Sequence, residues 1–403
     1  MMTVVEFSEC FPNKFKPVSG EFILQHVRAL SEFCKVITIV PLRFVPPKEL
    51  FSRNPVKTIS AITHWIKALL KTKNFSEGNL NVIYYPYISL PRPYFENINK
   101  RLFHFTFLRG IKKLLAGYKP SIIYCNWIRP WADICSEISD NYNVPFVIDH
   151  HEDLPTLKKF FPDDYTEILK SFKKADRVIV HSTFNKLDLE KEVTDMNEVR
   201  IIYLGQNFAI ADKFKTFDSS NIKFICVSHL YEPRKNIDIL IRALSLIRGR
   251  ISFRLTVAGD GELKEEYLKL VHTLNLDEMI KFTGEKNSSE VGKYLDDSDV
   301  FILPSYPEAF GVVFIEALAK GLPVITCKGN GGGEELAKLG YPAVLCEPEN
   351  AEDLAENILN LVNDRLRMNE MSVSGKKIVR DHFTWKKNAE QTHAFLSEIV
   401  SEH

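Results

Sequence analysis

The sequence predicts an α/β protein made of two doubly wound units, and three observations carry that expectation. With 403 residues the chain is longer than one hydrophobic core usually serves, so two domains are expected. Short apolar runs alternate with helical stretches along most of it, the pattern of parallel strands joined by crossover helices. Residues 299–326, DVFILPSYPEAFGVVFIEALAKGLPVIT, read directly as strand, loop, helix and strand.

In chain order, residues 3–7 form a first strand. A loop containing Phe11-Pro12, Pro17 and Gly20 leads into a helix over 23–33, and 36–40 is the next strand. Glycine there lets backbone come close to a ligand, and a helix start favours an anion; a tight turn with no ligand fits the same residues. Residues 41–81 show no clean strand and read as helices or a mobile excursion. Strand character returns over 81–87, 95–118 is helical, and 121–124 is a strand. A helix around 132–139 and a strand over 145–149 follow, the latter running into His150-His151-Glu152-Asp153. A histidine at a strand end suits proton or hydrogen-bond chemistry at neutral pH. The strand within 174–182 ends at Ser182.

The second half repeats the alternation. A strand over 222–228 leads through His229, Arg234 and Lys235 to an amphipathic helix over 237–247. Residues 254–262 are a strand ending in a turn with Gly259 and Gly261, and Thr283-Gly284 close another turn. A short helix over 291–295 precedes the stretch already singled out. There, 300–303 has the composition of a strand buried on both faces, Pro304, Pro307 and Gly311 break it, and Gly321 stops the helix 312–320. The start of that helix suits a phosphate or diphosphate. Glu308 precedes it, and Glu316 lies about 9 Å along the axis from a start near Phe310. That spacing lets the two carboxylates bracket a phosphate, one near a sugar and one near a ribose; an ordinary strand-loop-helix with two surface glutamates fits the same residues. A glycine run over 329–333, a helix within 348–362, and Phe383-Thr384-Trp385 before a final helix complete the chain.

Composition narrows the class. Hydrophobic content of 45% with 26% charged residues is that of a water-soluble globular chain, and no run approaches the roughly 18 apolar residues of a membrane span. The opening MMTVVEFSECFP lacks the order of a signal peptide. Seven cysteines without a C-x-x-C pair point to reduced thiols in a cytoplasm, and away from zinc or a disulfide frame. Net charge is zero, yet residues 41–120 hold 14 Lys and Arg against three acids, with Phe44, Phe51, Trp65, Phe75, Phe95, Phe103, Phe105 and Phe107 among them. A basic aromatic surface suits an anionic membrane face or a phosphorylated lipid carrier; a solvated basic face with its aromatics in the core is the plainer alternative. No nucleic-acid-binding pattern accompanies the charge, so no nucleic acid is expected.

The Glu-Ala-Phe-Gly loop at 308–311 and the run Glu-Ala-Leu-Ala-Lys-Gly-Leu-Pro-Val-Ile at 316–325 resemble the retaining glycosyltransferases of GT-B fold that carry a Glu-x7-Glu signature (glycosyltransferase family 4, glycosyl transferases group 1). The resemblance is closest over 222–362 and loosest over 41–118. It implies two Rossmann-like domains facing a cleft: an acceptor-side domain of residues 1–206 joined by the helix 385–403, and a nucleotide-sugar domain of 207–384, with a hinge near 206–220. It further implies a nucleotide diphosphate sugar donor carrying UDP or GDP, retention of anomeric configuration, and no metal or other cofactor. The acceptor would be a glycan or lipid-linked sugar of cell-surface polysaccharide or glycoconjugate biosynthesis, at the cytoplasmic face of a membrane.

Carried over by position, Glu308 would hold sugar hydroxyls and Glu316 the ribose. His151, with His150 as the neighbouring alternative, would face the reacting carbon. Lys235 and the amides of Phe310, Gly311 and Val312 would meet the diphosphate, and Gly20 would lie near the diphosphate or acceptor. Gly259, Gly261, Thr283 and Gly284 would border the nucleotide. Two departures stand out: His229 occupies a place usually held by Arg, with Arg234 as a substitute, and Leu204 replaces a usual Asn. The rival classes are a sugar-nucleotide epimerase, a phosphorylase, and a non-catalytic nucleotide-sugar-binding protein.

Overall fold

The structure, a computed structural model, describes residues 1–13, 19–44, 55–71, 73–88, 107–211, 215, 217 and 220–403. Apolar runs become two sheets. The first holds β1 (Thr3–Phe7), β2 (Lys35–Phe44), β3 (Phe75–Glu77), β4 (Leu80–Ile88), β5 (Ile122–Asn126), β6 (Phe146–His150), β7 (Arg177–Val180) and β8 (Val199–Ile201), in the order β3-β4-β2-β1-β5-β6-β7-β8. All its pairings are parallel except that of the short β3. The second holds β9 (Asn221–Val227), β10 (Ser252–Ala258), β11 (Ile280–Phe282), β12 (Val300–Ile302), β13 (Val324–Cys327) and β14 (Val344–Cys346), all parallel, in the order β11-β10-β9-β12-β13-β14.

Each order reverses once, between β1 and β5 and between β9 and β12. Ligands of open α/β sheets bind beyond the strand ends at such points. Strands β1, β5, β6 and β12 are buried at every position, including the polar Glu6, Asn126, Asp149 and His150 of the first three. The final helix, Trp385–Glu402, places Ala389, Phe395, Leu396 and Ile399 in the first sheet's core beside Val4, Ile23 and Val27. His26 Nδ1 meets Asn388 Oδ1 at 2.7 Å within that contact.

Several expectations are corrected. Strand β2 continues to Phe44, into the stretch read as having no clean strand, whereas the helix Pro55–Lys71 agrees with the helices expected there. The first helix is Glu21–Leu30, with Gly20 as its N-cap. The glycine run is the start of a helix, Gly331–Lys338, capped by the Asn330 side chain on the Gly333 amide. An 18-residue helix, Arg365–His382, follows a stretch where only one late helix was read. Of the aromatic residues in the basic segment, Phe107 is a core residue packed on Trp131 and Tyr85. Phe51, Phe95, Phe103 and Phe105 lie outside the described residues.

Where the chain passes between the sheets, its two crossings touch. The Gln206 amide donates to Phe383 O at 3.2 Å, and Trp385 Nε1 donates to Asn207 Oδ1 at 2.9 Å. A Cβ on Gly205 would sit 2.5 Å from the Trp385 indole. Gly205→Ala should therefore lower stability by about 1–3 kcal/mol through overpacking. Gly117→Ala, where the nearest atom is a carbonyl oxygen at 4.0 Å, should leave it unchanged; thermal denaturation of the two variants checks this.

Candidate active site

The loop after β12 is pinned from several directions. Asn236 Nδ2 donates to Pro304 O at 2.9 Å, Asn330 Nδ2 to Ser305 O at 2.9 Å, and Arg234 Nη1 to Pro307 O at 2.9 Å. The Gly331 amide donates to Glu308 O at 2.8 Å. A Cβ on Gly332 would lie 1.7 Å from Phe310 O, so only glycine lets that helix start lie against the loop. Ser182 Oγ, from the first sheet's side, donates to Ala309 O at 2.8 Å while capping its own helix, Thr183–Glu192.

The pinned loop presents Glu308, which is 8% exposed. Its Oε2 accepts from Lys235 Nζ at 2.6 Å and lies 3.6 Å from Arg234 Nη1. Burial pushes the carboxyl up, but the two cations outweigh it and hold Glu308 below the usual carboxylate range. A buried carboxylate thus stays ionised. Arg234 also grips Glu232, and His229 Nε2 lies 3.7 Å from Glu232 Oε1. His229 has 45% of its side chain exposed, and burial together with Lys235 lowers its pKa, so it carries no charge at neutral pH.

Two cavities meet at the helix Val312–Ala319 and share Phe22 and Val312. The smaller, about 210 Å³, is bordered by Glu308, His151, His181 and Trp127. The larger, about 630 Å³, is bordered by Gly20, Lys286 and Glu316. Gly311 (φ +75°) and Gly20 (φ +71°) are N-caps that offer no side chain to the first amides of their helices. Neither tolerates a side chain: a Cβ would lie 2.7 Å from the Phe314 ring at Gly311 and 2.1 Å from Cys10 O at Gly20. Two uncapped helix starts thus meet at the larger cavity, an arrangement that favours an anion. Lys286 adds a cation that the sequence reading missed.

His151 lies beneath the smaller cavity, with its ring stacked on Trp127 and edge-on to Phe22. Its Nε2 meets Asn126 Oδ1 at 2.9 Å, and its Nδ1 meets His181 Nε2 at 2.9 Å. His181 Nδ1 donates to Ile202 O at 2.8 Å. Two ring hydrogens point outward from the pair and one is shared between them, so the pair carries a single positive charge opposite Asp149. That charge belongs to His181: burial opposes it, but Asp149 raises its pKa, whereas burial lowers that of His151 to about 3. Both nitrogens of His151 are engaged inward. The alternative, His150, is excluded: it ends β6 in the core, edge-on to Phe172 at 5.0 Å.

The remaining expected residues stand back from the cavities. Gly259 and Gly261 pack against the backbone of Ser228 and Leu230, Gly284 O accepts from the Gly259 amide, and the Thr283 hydroxyl faces Val257 O. They brace the loop that carries His229 and border neither cavity. Glu335, two residues beyond the glycine run, is a strut between the two sheets. Its carboxylate accepts from the Thr183 amide at 2.6 Å and from the Tyr203 hydroxyl at 2.5 Å.

Two largely parallel α/β sheets with these cavities between them have the two-domain GT-B architecture. Residues 75–208 match the model of the Glycosyltransferase Family 4, and residues 209–378 that of the Glycosyl transferases group 1. The chain belongs to this family of glycosyltransferases. An uncharacterized glycosyltransferase of Methanocaldococcus jannaschii is 26% identical over 342 residues, 76% of this chain and 93% of that protein. A GDP-mannose-dependent alpha-(1-6)-phosphatidylinositol monomannoside mannosyltransferase of Mycobacterium tuberculosis is 31% identical over 43% of this chain and 46% of its own. The sucrose-phosphate synthase of Thermosynechococcus elongatus shares the fold, with a TM-score of 0.77 and 18% identity over the whole of both chains.

Burial alone raises the Glu316 carboxyl from 4.5 to about 7. The folded chain holds a proton there that the unfolded chain releases near 4.5. Stability tied to this group is thus full below that value and is lost as pH rises through about 7. Glu316→Gln should stabilise the protein by roughly 1–3 kcal/mol at about pH 8 and not at about pH 4.5. Melting curves at the two pH values decide it.

Proposed function

We propose that the chain transfers a sugar from a nucleotide diphosphate sugar to a glycan or lipid-linked acceptor, with retention of anomeric configuration. The observation that carries this reading is the helix Val312–Ala319, whose glycine-capped start stands between a cavity holding Glu308 and a larger one holding Glu316. A diphosphate on the helix start would extend its sugar toward Glu308 and its nucleoside toward Glu316. The ionised Glu308 accepts hydrogen bonds from sugar hydroxyls, and Glu316 accepts them from the ribose.

Lys235, Lys286 and the amides of Gly311 and Val312 oppose the charge that builds on the leaving diphosphate, without a metal there. His151, neutral and tied inward at both nitrogens, bounds the sugar with its ring rather than moving a proton. His229, uncharged and half-exposed, leaves the diphosphate's cations to its neighbours. The Mycobacterium tuberculosis relative's donor, GDP-mannose, and its lipid acceptor support both halves of the reading.

Calorimetric titration of the metal-free protein with UDP, GDP and ADP tests it. One nucleotide should bind, at least about tenfold more weakly to Glu316→Ala (a loss of about 1.4 kcal/mol), and Glu308→Gln should bind it normally while transfer falls at least about 100-fold. Binding of none of the three would overturn the donor assignment.

An anionic membrane surface is the acceptor's proposed setting. No helix among the described residues is long and apolar enough to cross a membrane. The helix Pro55–Lys71, however, exposes Val56 (74%), Ile59 (64%) and Ile66 (44%) at helical spacing beside Lys57 and Lys67. Binding to anionic vesicles should weaken with salt and with Ile59→Glu. Equal sedimentation with neutral and anionic vesicles would count against it.

A further inference from the structure

We infer that Asp149, His151 and His181 form a site for one first-row transition-metal ion, such as Zn2+ or Co2+, beneath the smaller cavity. The three side chains stand at the ends of neighbouring strands, and one ligand atom from each lies within 4.8 Å of the others. Hydrogen-bond accounting selects those atoms. Asp149 Oδ2 accepts from the Tyr124 hydroxyl, while the buried Oδ1 faces His181 Nε2 at 2.9 Å as its charged partner. His151 spends Nε2 on Asn126 Oδ1, leaving Nδ1, and His181 spends Nδ1 on Ile202 O, leaving Nε2. These atoms converge on His181, whose Nε2 is 2.9 Å from Asp149 Oδ1 and 2.9 Å from His151 Nδ1.

Ligands about 2.0–2.1 Å from a tetrahedral zinc ion stand about 3.3 Å apart, so the two 2.9 Å contacts of His181 Nε2 need to lengthen by a few tenths of an ångström, and the third pair lies within 4.8 Å. Its outer partners, a tyrosine hydroxyl, an amide oxygen and a backbone carbonyl, are of the kind that orient metal ligands. The hydrogen now shared by His181 Nε2 and His151 Nδ1 passes to solvent as the ion enters. His151 and His181 border the smaller cavity, so water entering from it would supply the fourth ligand. The ion would sit on the sugar side of the site. It is not the counter-charge of the diphosphate, and nucleotide binding by the metal-free protein does not depend on it.

The test is titration of the chelator-stripped protein with Co2+ and Zn2+, followed by the visible absorption of four-coordinate Co2+ and by calorimetry. One equivalent should bind. His181→Gln and Asp149→Asn should weaken binding by at least about 100-fold, and Tyr124→Phe by about 10-fold. Glu316→Gln should bind as the parent does. Metal-free melting curves establish that each variant is folded, and Tyr124→Phe keeps the test decisive if a ligand variant is not. Absence of stoichiometric binding, or binding that survives His181→Gln and Asp149→Asn, would overturn the site and leave the cluster as a hydrogen-bond relay.

Discussion

The ion pair between Lys235 and Glu308 is the contact on which the site rests. Burying a carboxylate is unfavourable unless charge meets it, and removing one partner of such a pair costs about 3–5 kcal/mol because the other is left uncompensated. Lys235 comes from the turn after β9 and Glu308 from the loop after β12, the two strands that flank the second sheet's switch point. The same turn sends Arg234 and Asn236 to the carbonyls of Pro307 and Pro304. One short segment thus sets both the position and the charge state of the acid. The helix cap, Gly311, follows three residues after Glu308 and inherits that placement.

Beneath the first sheet's ends lies a second polar assembly, built on different logic. Glu6, Asn126 and Asp149 lie on β1, β5 and β6, and Asn126 Nδ2 donates to Glu6 Oε1 at 2.5 Å. Burial, then Asp149, pushes Glu6 well above its ordinary range, so it remains protonated beside an ionised neighbour. Where the second sheet stabilises its acid with cations, the first tolerates several polar groups by sharing hydrogens among them.

Much of this architecture was readable because parallel strands declare themselves as unbroken apolar runs. The pair Glu308 and Glu316 was readable because one loop and one helix fix their spacing. The helix Gly331–Lys338 was not, since three glycines argue against a helix and only packing against the loop explains them. Nor was Arg365–His382, whose buried Met368, Met371, Ile378 and Val379 are outnumbered by polar neighbours. His181 and Asp149 escaped because the register of β6 with β7, and not proximity in the chain, brings them together. A polar residue at the end of successive parallel strands was the available signal. Glu335 gave no local sign of its partners, 152 and 132 residues away.

The strut at Glu335 also bears on how the molecule opens. Ser182, Thr183 and Tyr203 reach across to Ala309 and Glu335 through polar bonds, and Lys338 returns one to Thr183. When such bonds part, water replaces them at little net loss, unlike an apolar seam that must be wetted. The clasp therefore holds the cleft in register while remaining easy to release. A glycosyltransferase must shed its product each cycle, and a hydratable latch makes that departure a matter of gating rather than of unfolding.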